Sequence, residues 1–379
     1  MTNFPKDEIF NLQEVYLSDK RPNKINCGIG IYLDNKGKSY IPSSVKKAVK
    51  KLKVNNFNYL PITGDSLFLE ECSKLVFDQE DSSSIAKQGV MGGTNGLFMW
   101  GSFVKKFEKK PTILIGIPTW ENHLKIFSYL NFKIVTYKHL QNDQFNVDGF
   151  QKAISKNKKA YLLFQGGSMH NPTGINPSRK QWGTIADIVK KNSNKILFDF
   201  AYCGLGENID HDTFSIRLFS KKNIDLSVVL SLSKNMSLYQ HRTGVLFIKT
   251  KSKNKKVEIE NTLQNLFRII NSNPAAFGEQ IASLVLSDPS LKKQWLKDIS
   301  MITRNLDERR RMFAKKTKGK FDHVLNGSGL FSLLRLTKNQ IITLKEKYAI
   351  YLLSDGRINF GSLTKKNIEY IAKSILEVT

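Results

Sequence analysis

The stretch KILFDFAY, Lys195–Tyr202, is apolar at almost every position yet carries Asp199 inside its apolar end. A run with apolar residues on both alternating sets of side chains predicts a strand buried on both faces, as in a parallel sheet. A carboxylate in such a strand needs a cationic or hydrogen-bonding partner. Five more runs read the same way: Thr112–Ile117, Lys133–Tyr137, Ala160–Gln165, Leu226–Leu232 and Val245–Lys249. Helical patterns such as Gln181–Lys191 lie between them. Strand and helix in alternation predict an α/β domain with a mainly parallel sheet flanked by helices.

Outside this region the pattern changes. A long helical stretch covers about 280–317 and includes Arg309-Arg310-Arg311. Short strands follow at Leu330–Leu336, Ala349–Leu353 and Arg357–Phe360, then a closing helix from Lys365. With 379 residues the chain is long enough for about two domains. We expect a large α/β domain over 41–296, and a smaller α+β domain from 1–40 and 297–379.

Apolar residues at 40% and aromatics at 11% can fill a sizeable core, which excludes a disordered chain. No window reaches the ~18 apolar residues of a membrane span, and the start, MTNFPKDEIF, is not that of a secretion leader. Three scattered cysteines, Cys27, Cys72 and Cys203, make neither a disulfide framework nor a zinc site, and fit a reduced cytoplasmic protein. The net charge of +26 comes from lysine clusters spread along the whole chain, such as Lys46-Lys47 and Lys315-Lys316. This reads as a solvated basic surface, with nucleic-acid binding the remote alternative.

In open α/β sheets ligands sit at the carboxyl ends of the strands. Pro118-Thr119-Trp120 and His123 follow one run, and His170-Asn171-Pro172-Thr173-Gly174 follows another; Tyr202 follows Asp199, and Ser231-Leu232-Ser233-Lys234 closes the Leu226 run. Upstream, Gly92-Gly93-Thr94-Asn95-Gly96 opens a helix. A glycine turn at a helix start offers backbone N–H groups to a phosphate, and Ser231, Ser233 and Arg242 add hydroxyl and guanidinium donors. Trp120 offers a flat face, Asp199 a partner for a protonated ring nitrogen, Asn171 and Tyr202 donors for a ring oxygen, and Lys234 an amine. These are the contacts that pyridoxal 5'-phosphate requires.

As a set, Asn58-Tyr59, Pro118-Thr119-Trp120, His170–Gly174, Phe198–Tyr202, Ser231–Asn235 and Ser272-Asn273-Pro274 resemble the aspartate/aromatic amino acid aminotransferases of class I, the fold-type I enzymes. The resemblance runs from Arg21 to Asn359 and implies a seven-stranded-type sheet, a small domain that closes on substrate, and a homodimer with shared active sites. It implies that Lys234 carries the cofactor as a Schiff base and shuttles the substrate proton, with Asp199 on the ring nitrogen, backed by His123. Gly93, Thr94, Ser231, Ser233 and Arg242 would hold the phosphate, with Tyr59 reaching in from a partner subunit. Arg357 would clamp the substrate α-carboxylate beside Gly30, Asn171, Trp120 and Phe331, and Arg268 would cross the dimer to a distal carboxylate.

The chain departs from the family pattern at Asn95, Gln165, His241, Ile270 and Asn271, and one extra residue stands between Phe164 and His170. The resemblance implies ping-pong transamination between an L-amino acid, aspartate or an aromatic one, and 2-oxoglutarate. A β-lyase or decarboxylase on the same fold is the alternative. Ser231-Leu232-Ser233-Lys234 also spells the S-x-x-K of a serine nucleophile, but Lys249-Thr250-Lys251 breaks the K-T-G that should accompany it.

Overall fold

The computed structural model describes residues 7–53, 57–78, 82–167, 169–250 and 252–379. The chain start Met1–Lys6 and Ser168 of the strand-end loop lie outside them. Two compact units emerge. One comprises Ile41–Ser168 and Asn176–Met301; the other comprises Met1–Tyr40, Met169–Ile175 and Ile302–Thr379. The segment Met169–Ile175, inside the expected 41–296 span, thus groups with the smaller unit. The second boundary falls within the helix Pro289–Lys316, beyond the expected residue 296, where sequence pattern offers no break.

The larger unit is built on a seven-stranded sheet: β1 (Ile85–Val90), β2 (Thr112–Ile117), β3 (Lys133–Lys138), β4 (Tyr161–Phe164), β5 (Lys195–Phe200), β6 (Leu226–Ser231) and β7 (Gly244–Lys249). Their order across the sheet is β1-β7-β6-β5-β4-β2-β3. The pairs β2–β3, β2–β4, β4–β5 and β5–β6 are parallel, and β7 runs antiparallel to both β6 and β1. β1 was not foreseen from sequence, because Lys87, Gln88 and Gly89 interrupt its apolar run. Tertiary partners hold two of them: Lys87 pairs with Glu70 at 2.6 Å, and Gln88 Nε2 donates to the Ile62 carbonyl at 2.8 Å.

The period of two along β5 sorts its side chains. Phe198 packs with Trp182 and Phe219 on one face, while Leu197 joins Trp100 and Leu97 on the other. A fully buried side chain of this kind contributes about 1.5–3 kcal/mol. The same alternation sends Asp199 to the face covered by the helix Gly92–Phe107. The strand ends at Phe200 and Ser231 therefore deliver Asp199 and the Ser231–Lys234 segment beside the start of that helix.

In the smaller unit Ile25–Asn26 pairs parallel with Ile350–Tyr351, and Phe331–Leu333 pairs antiparallel with Arg357–Asn359. These strands are shorter than the sequence pattern suggested. Arg310 is buried and donates to the carbonyls of Val324, Ser328, Gly329 and Phe331, at 2.6–3.0 Å. Burial lowers its pKa to about 9, and these carbonyls fasten the loop that presents Phe331.

Glu279, on the helix Ala276–Ser287 of the larger unit, is 3% exposed and accepts the Asp65 N–H at 2.7 Å. Burial pushes its carboxyl up to about 8 from 4.5. Between those values the folded chain holds a proton that the unfolded chain has lost, so this stabilisation is present below 4.5 and declines as pH rises toward 8. Thermal unfolding from about pH 5 to about pH 8 should show wild-type stability falling more steeply than that of Glu279→Gln; parallel profiles would refute the assignment.

Candidate active site

The site is best built outward from Asp199. Its Oδ2 lies 2.8 Å from Nε2 of His123, which is completely buried, and His123 Nδ1 lies 2.8 Å from Thr119 Oγ1. A carboxylate only accepts, so Nε2 carries the hydrogen, and Nδ1 shares a hydrogen bond with the Thr119 hydroxyl. The Gln165 amide in turn donates to Thr119 Oγ1 at 3.2 Å. Sequence reading assigned His123 to back Asp199; Thr119 and Gln165 received no such role, although Pro118-Thr119-Trp120 and the Gln165 departure marked the positions. The other oxygen, Asp199 Oδ1, is buried and has no hydrogen-bond partner among the described residues. A buried, unmatched carboxylate oxygen calls for a donor that the protein does not itself supply.

Around it stand the other groups of the larger unit. Lys234 follows β6, and its Nζ lies 5.6 Å from the centroid of the buried Tyr202 ring. Burial lowers the Lys234 pKa to about 8; Asp199 attracts its charge and opposes that shift, while Arg242 adds to it. An amine in this range is a competent nucleophile near neutral pH. Trp120 is half-buried, caps the start of the helix Glu121–Tyr129, and meets His123 edge to face at 5.2 Å.

A group of donors suited to an anion adjoins this cluster. Met91 precedes the helix Gly92–Phe107 and provides no side-chain cap for its first-turn N–H groups. A Cβ on Gly92, whose φ is +77°, would lie 2.7 Å from Arg242 Nη2, so only glycine lets the guanidinium approach. Arg242 Nη1 donates to Ser233 Oγ at 3.3 Å, and Ser231 Oγ donates to Ser233 Oγ at 3.1 Å. On Gly93 a Cβ would lie 3.6 Å from Ser231 Cβ and 4.0 Å from Asp199 Oδ1, which places the helix start beside both. Thr94 is exposed.

The smaller unit holds the second arginine site. Arg357 is buried, donates from Nη1 to Asn171 Oδ1 at 2.8 Å and from Nη2 to the Gly28 carbonyl at 2.7 Å, and lies 4.4 Å from the Phe331 ring centroid. A Cβ on Gly30 would come within 3.0 Å of Phe331. Gly30, Asn171, Phe331 and Arg357 therefore belong to one packed cluster. Asn171, expected on a ring oxygen of the cofactor as well, holds the guanidinium here. Tyr59 is 86% exposed, and Arg268, exposed on the last turn of the helix Lys253–Asn271, donates to Ser272 Oγ at 2.6 Å.

The family model described as "Aminotransferase class I and II" matches residues 22–375. The chain belongs to that family. It is 33% identical to an aspartate aminotransferase of Haemophilus influenzae over 99% of this chain and 98% of that protein. It is 32% identical to the cytoplasmic aspartate aminotransferase of Saccharomyces cerevisiae, over 99% of this chain and 95% of that one. Among solved structures it resembles an aromatic-amino-acid aminotransferase from Burkholderia pseudomallei covalently bound to pyridoxal phosphate, with a TM-score of 0.95, 29% identity and coverage of 100% and 98%. The aminotransferase fold type I and its mostly parallel sheet are thereby established, and the protein is a pyridoxal-phosphate-dependent aminotransferase. The residues present fit the cofactor. The buried Asp199 Oδ1 lacks a donor, the uncapped glycine turn with Arg242 suits a phosphate, and the Lys234 amine has a lowered pKa.

The opposing terms on Lys234 yield a signed expectation. In Asp199→Asn the burial and Arg242 effects act unopposed, so the amine should titrate below about 8. The pH dependence of Lys234 acylation in cofactor-free protein measures this. A titration that stays in place or moves upward would contradict the arrangement.

Proposed function

We propose that this aminotransferase moves the amino group of an L-amino acid, aspartate foremost and aromatic amino acids secondarily, to 2-oxoglutarate through two ping-pong half-reactions. The observation that carries the substrate reading is Arg357. Its guanidinium is buried, held by Asn171 Oδ1 and the Gly28 carbonyl and laid against the Phe331 ring, a planar fork of the kind that suits a substrate α-carboxylate. Arg268 would meet the distal carboxylate of aspartate or glutamate. Relatives named aspartate aminotransferase favour the dicarboxylate, and solved structures named for aromatic amino acids support a broader range.

In this reading each residue has a distinct task. Bound pyridoxal phosphate supplies an electron sink for the bonds at the substrate Cα. Asp199, steadied by His123, keeps a proton on the ring nitrogen; Tyr202 and Asn171 hold the ring oxygen. Trp120 covers the ring face, and Gly93, Thr94, Ser231, Ser233 and Arg242 hold the phosphate. Lys234 Nζ takes the proton from Cα and returns it to the cofactor side. Gly30 and Phe331 shape the pocket around the amino acid.

We further propose a homodimer in which Tyr59 and Arg268 serve the partner's site. Both are exposed, and Phe57 at 91% and Ile269 at 78% exposure leave apolar surface beside them. The large domain of this reading is 41–296 and the substrate-closing domain 1–40 with 297–379. A reducing cytoplasmic setting suits the free, buried thiols of Cys27, Cys72 and Cys203.

Three variants and a product assay test this reading. Lys234→Ala should abolish turnover of aspartate with 2-oxoglutarate, and Arg357→Lys should lower kcat/KM for all amino acids by about 10–100-fold, the worth of a charged hydrogen bond or two. Arg268→Ala should lower kcat/KM for aspartate while sparing phenylalanine and tyrosine. Equal losses on all three would remove Arg268 from substrate recognition, and release of ammonia or CO₂ by the wild type would point to a lyase or decarboxylase instead.

A further inference from the structure

Two of the departures from the family pattern, Asn95 and Asn271, touch each other. Asn95 stands in the first turns of the helix Gly92–Phe107, and Asn271 is the last residue of the helix Lys253–Asn271. The Met91 backbone N–H donates to Asn95 Oδ1 at 3.0 Å. A backbone N–H can only donate, so this bond fixes which way the Asn95 amide points. Asn95 Nδ2 is thereby turned outward and donates to Asn271 Oδ1 at 2.9 Å. That bond orients Asn271 in the same manner, and its Nδ2 reaches the Met91 sulfur at 3.1 Å. The three residues close a ring of hydrogen bonds that begins and ends at Met91.

The ring sits where the backbone is least restrained by its own chemistry. Met91 gives the helix no side-chain cap, and Gly92 and Gly93 follow it with the widest conformational freedom of any residues. The N–H groups of this turn are those assigned above to the cofactor phosphate. An anion site gains strength from donors that need no reorganisation on binding. None of the three ring side chains is required to touch the phosphate.

We propose that Asn95 and Asn271 are positioning residues that hold the Met91–Gly93 turn in its phosphate-accepting form, so that a residue at the end of a distant helix sets how tightly the cofactor phosphate is retained. The inference rests on the placement of the phosphate under Proposed function. Because each amide is oriented by the other, losing either one frees the pair, and the two substitutions act as one.

The test uses the holoenzyme and the variants Asn95→Ala, Asn271→Ala and the double variant, with Asn271→Ser in reserve should the alanine variant fold poorly. Dissociation rates of pyridoxal phosphate are measured by transfer to an excess of a trapping amine, and affinities of the cofactor-free proteins are measured for pyridoxal phosphate and for pyridoxal, which lacks the phosphate. Each single variant should release pyridoxal phosphate about 3- to 30-fold faster, the range of a coupling between contacting residues. The double variant should be no faster than the worse single one, and the affinity for pyridoxal should be unchanged. Additive effects, unchanged retention, or equal loss for pyridoxal and its phosphate would each overturn the proposal, the last because general loosening of the fold affects both ligands. Arg242→Gln serves as reference. If it weakens retention while the asparagine variants do not, only this inference fails. If Arg242→Gln also leaves retention intact, the phosphate placement fails, and the inference with it.

Discussion

Asp199 lies in β5 between Phe198 and Phe200, both almost wholly buried, and this carboxylate sets the terms for everything near it. An anion there carries a desolvation cost that hydrogen bonds must offset. One oxygen is matched by His123, which the sheet and the helix Glu121–Tyr129 bring to 2.8 Å. The other is left unmatched within the protein. The same carboxylate draws on the Lys234 amine, which burial would otherwise lower further. Remove the carboxylate and both the unmatched buried acceptor and its opposing effect on the lysine disappear together.

The sheet topology explains why these groups converge from positions far apart in sequence. β5 and β6 are parallel neighbours, so their carboxyl ends release Asp199 and the Ser231–Lys234 segment side by side. β1 joins the same sheet through β7, and its end at Val90 leads directly into Met91 and the glycine turn. Anion binding at a helix start and cation chemistry at a strand end thus meet at one edge. The smaller unit solves a different problem. It holds a guanidinium below the surface, using the Asn171 side-chain oxygen, the Gly28 carbonyl and the face of Phe331.

What could be read from sequence follows from how local each signal is. The central strands were legible because burial on both faces leaves them apolar at nearly every position, as in Lys195–Phe200 and Leu226–Ser231. β1 was not, since Lys87 and Gln88 Nε2 are held by Glu70 and Ile62, partners that local pattern cannot reveal. The long helical stretch after residue 280 is in fact divided at Asp288, where Ala276–Ser287 ends and Pro289 opens the next helix. Proline fits a first helical turn because its missing N–H is not needed there. In the site, Asp199, Lys234 and Arg242 announced themselves as charges beside apolar runs or in family motifs. Thr119, an unremarkable hydroxyl, and the contact between Asn95 and Asn271, 176 residues apart, did not.

Gln165 joins the chain of hydrogen bonds that runs through Thr119 and His123 to Asp199. A primary amide does not titrate in the range where enzymes work, so Gln165 contributes direction to the chain and no charge. The chain thus acts as a strut that transmits orientation to the carboxylate.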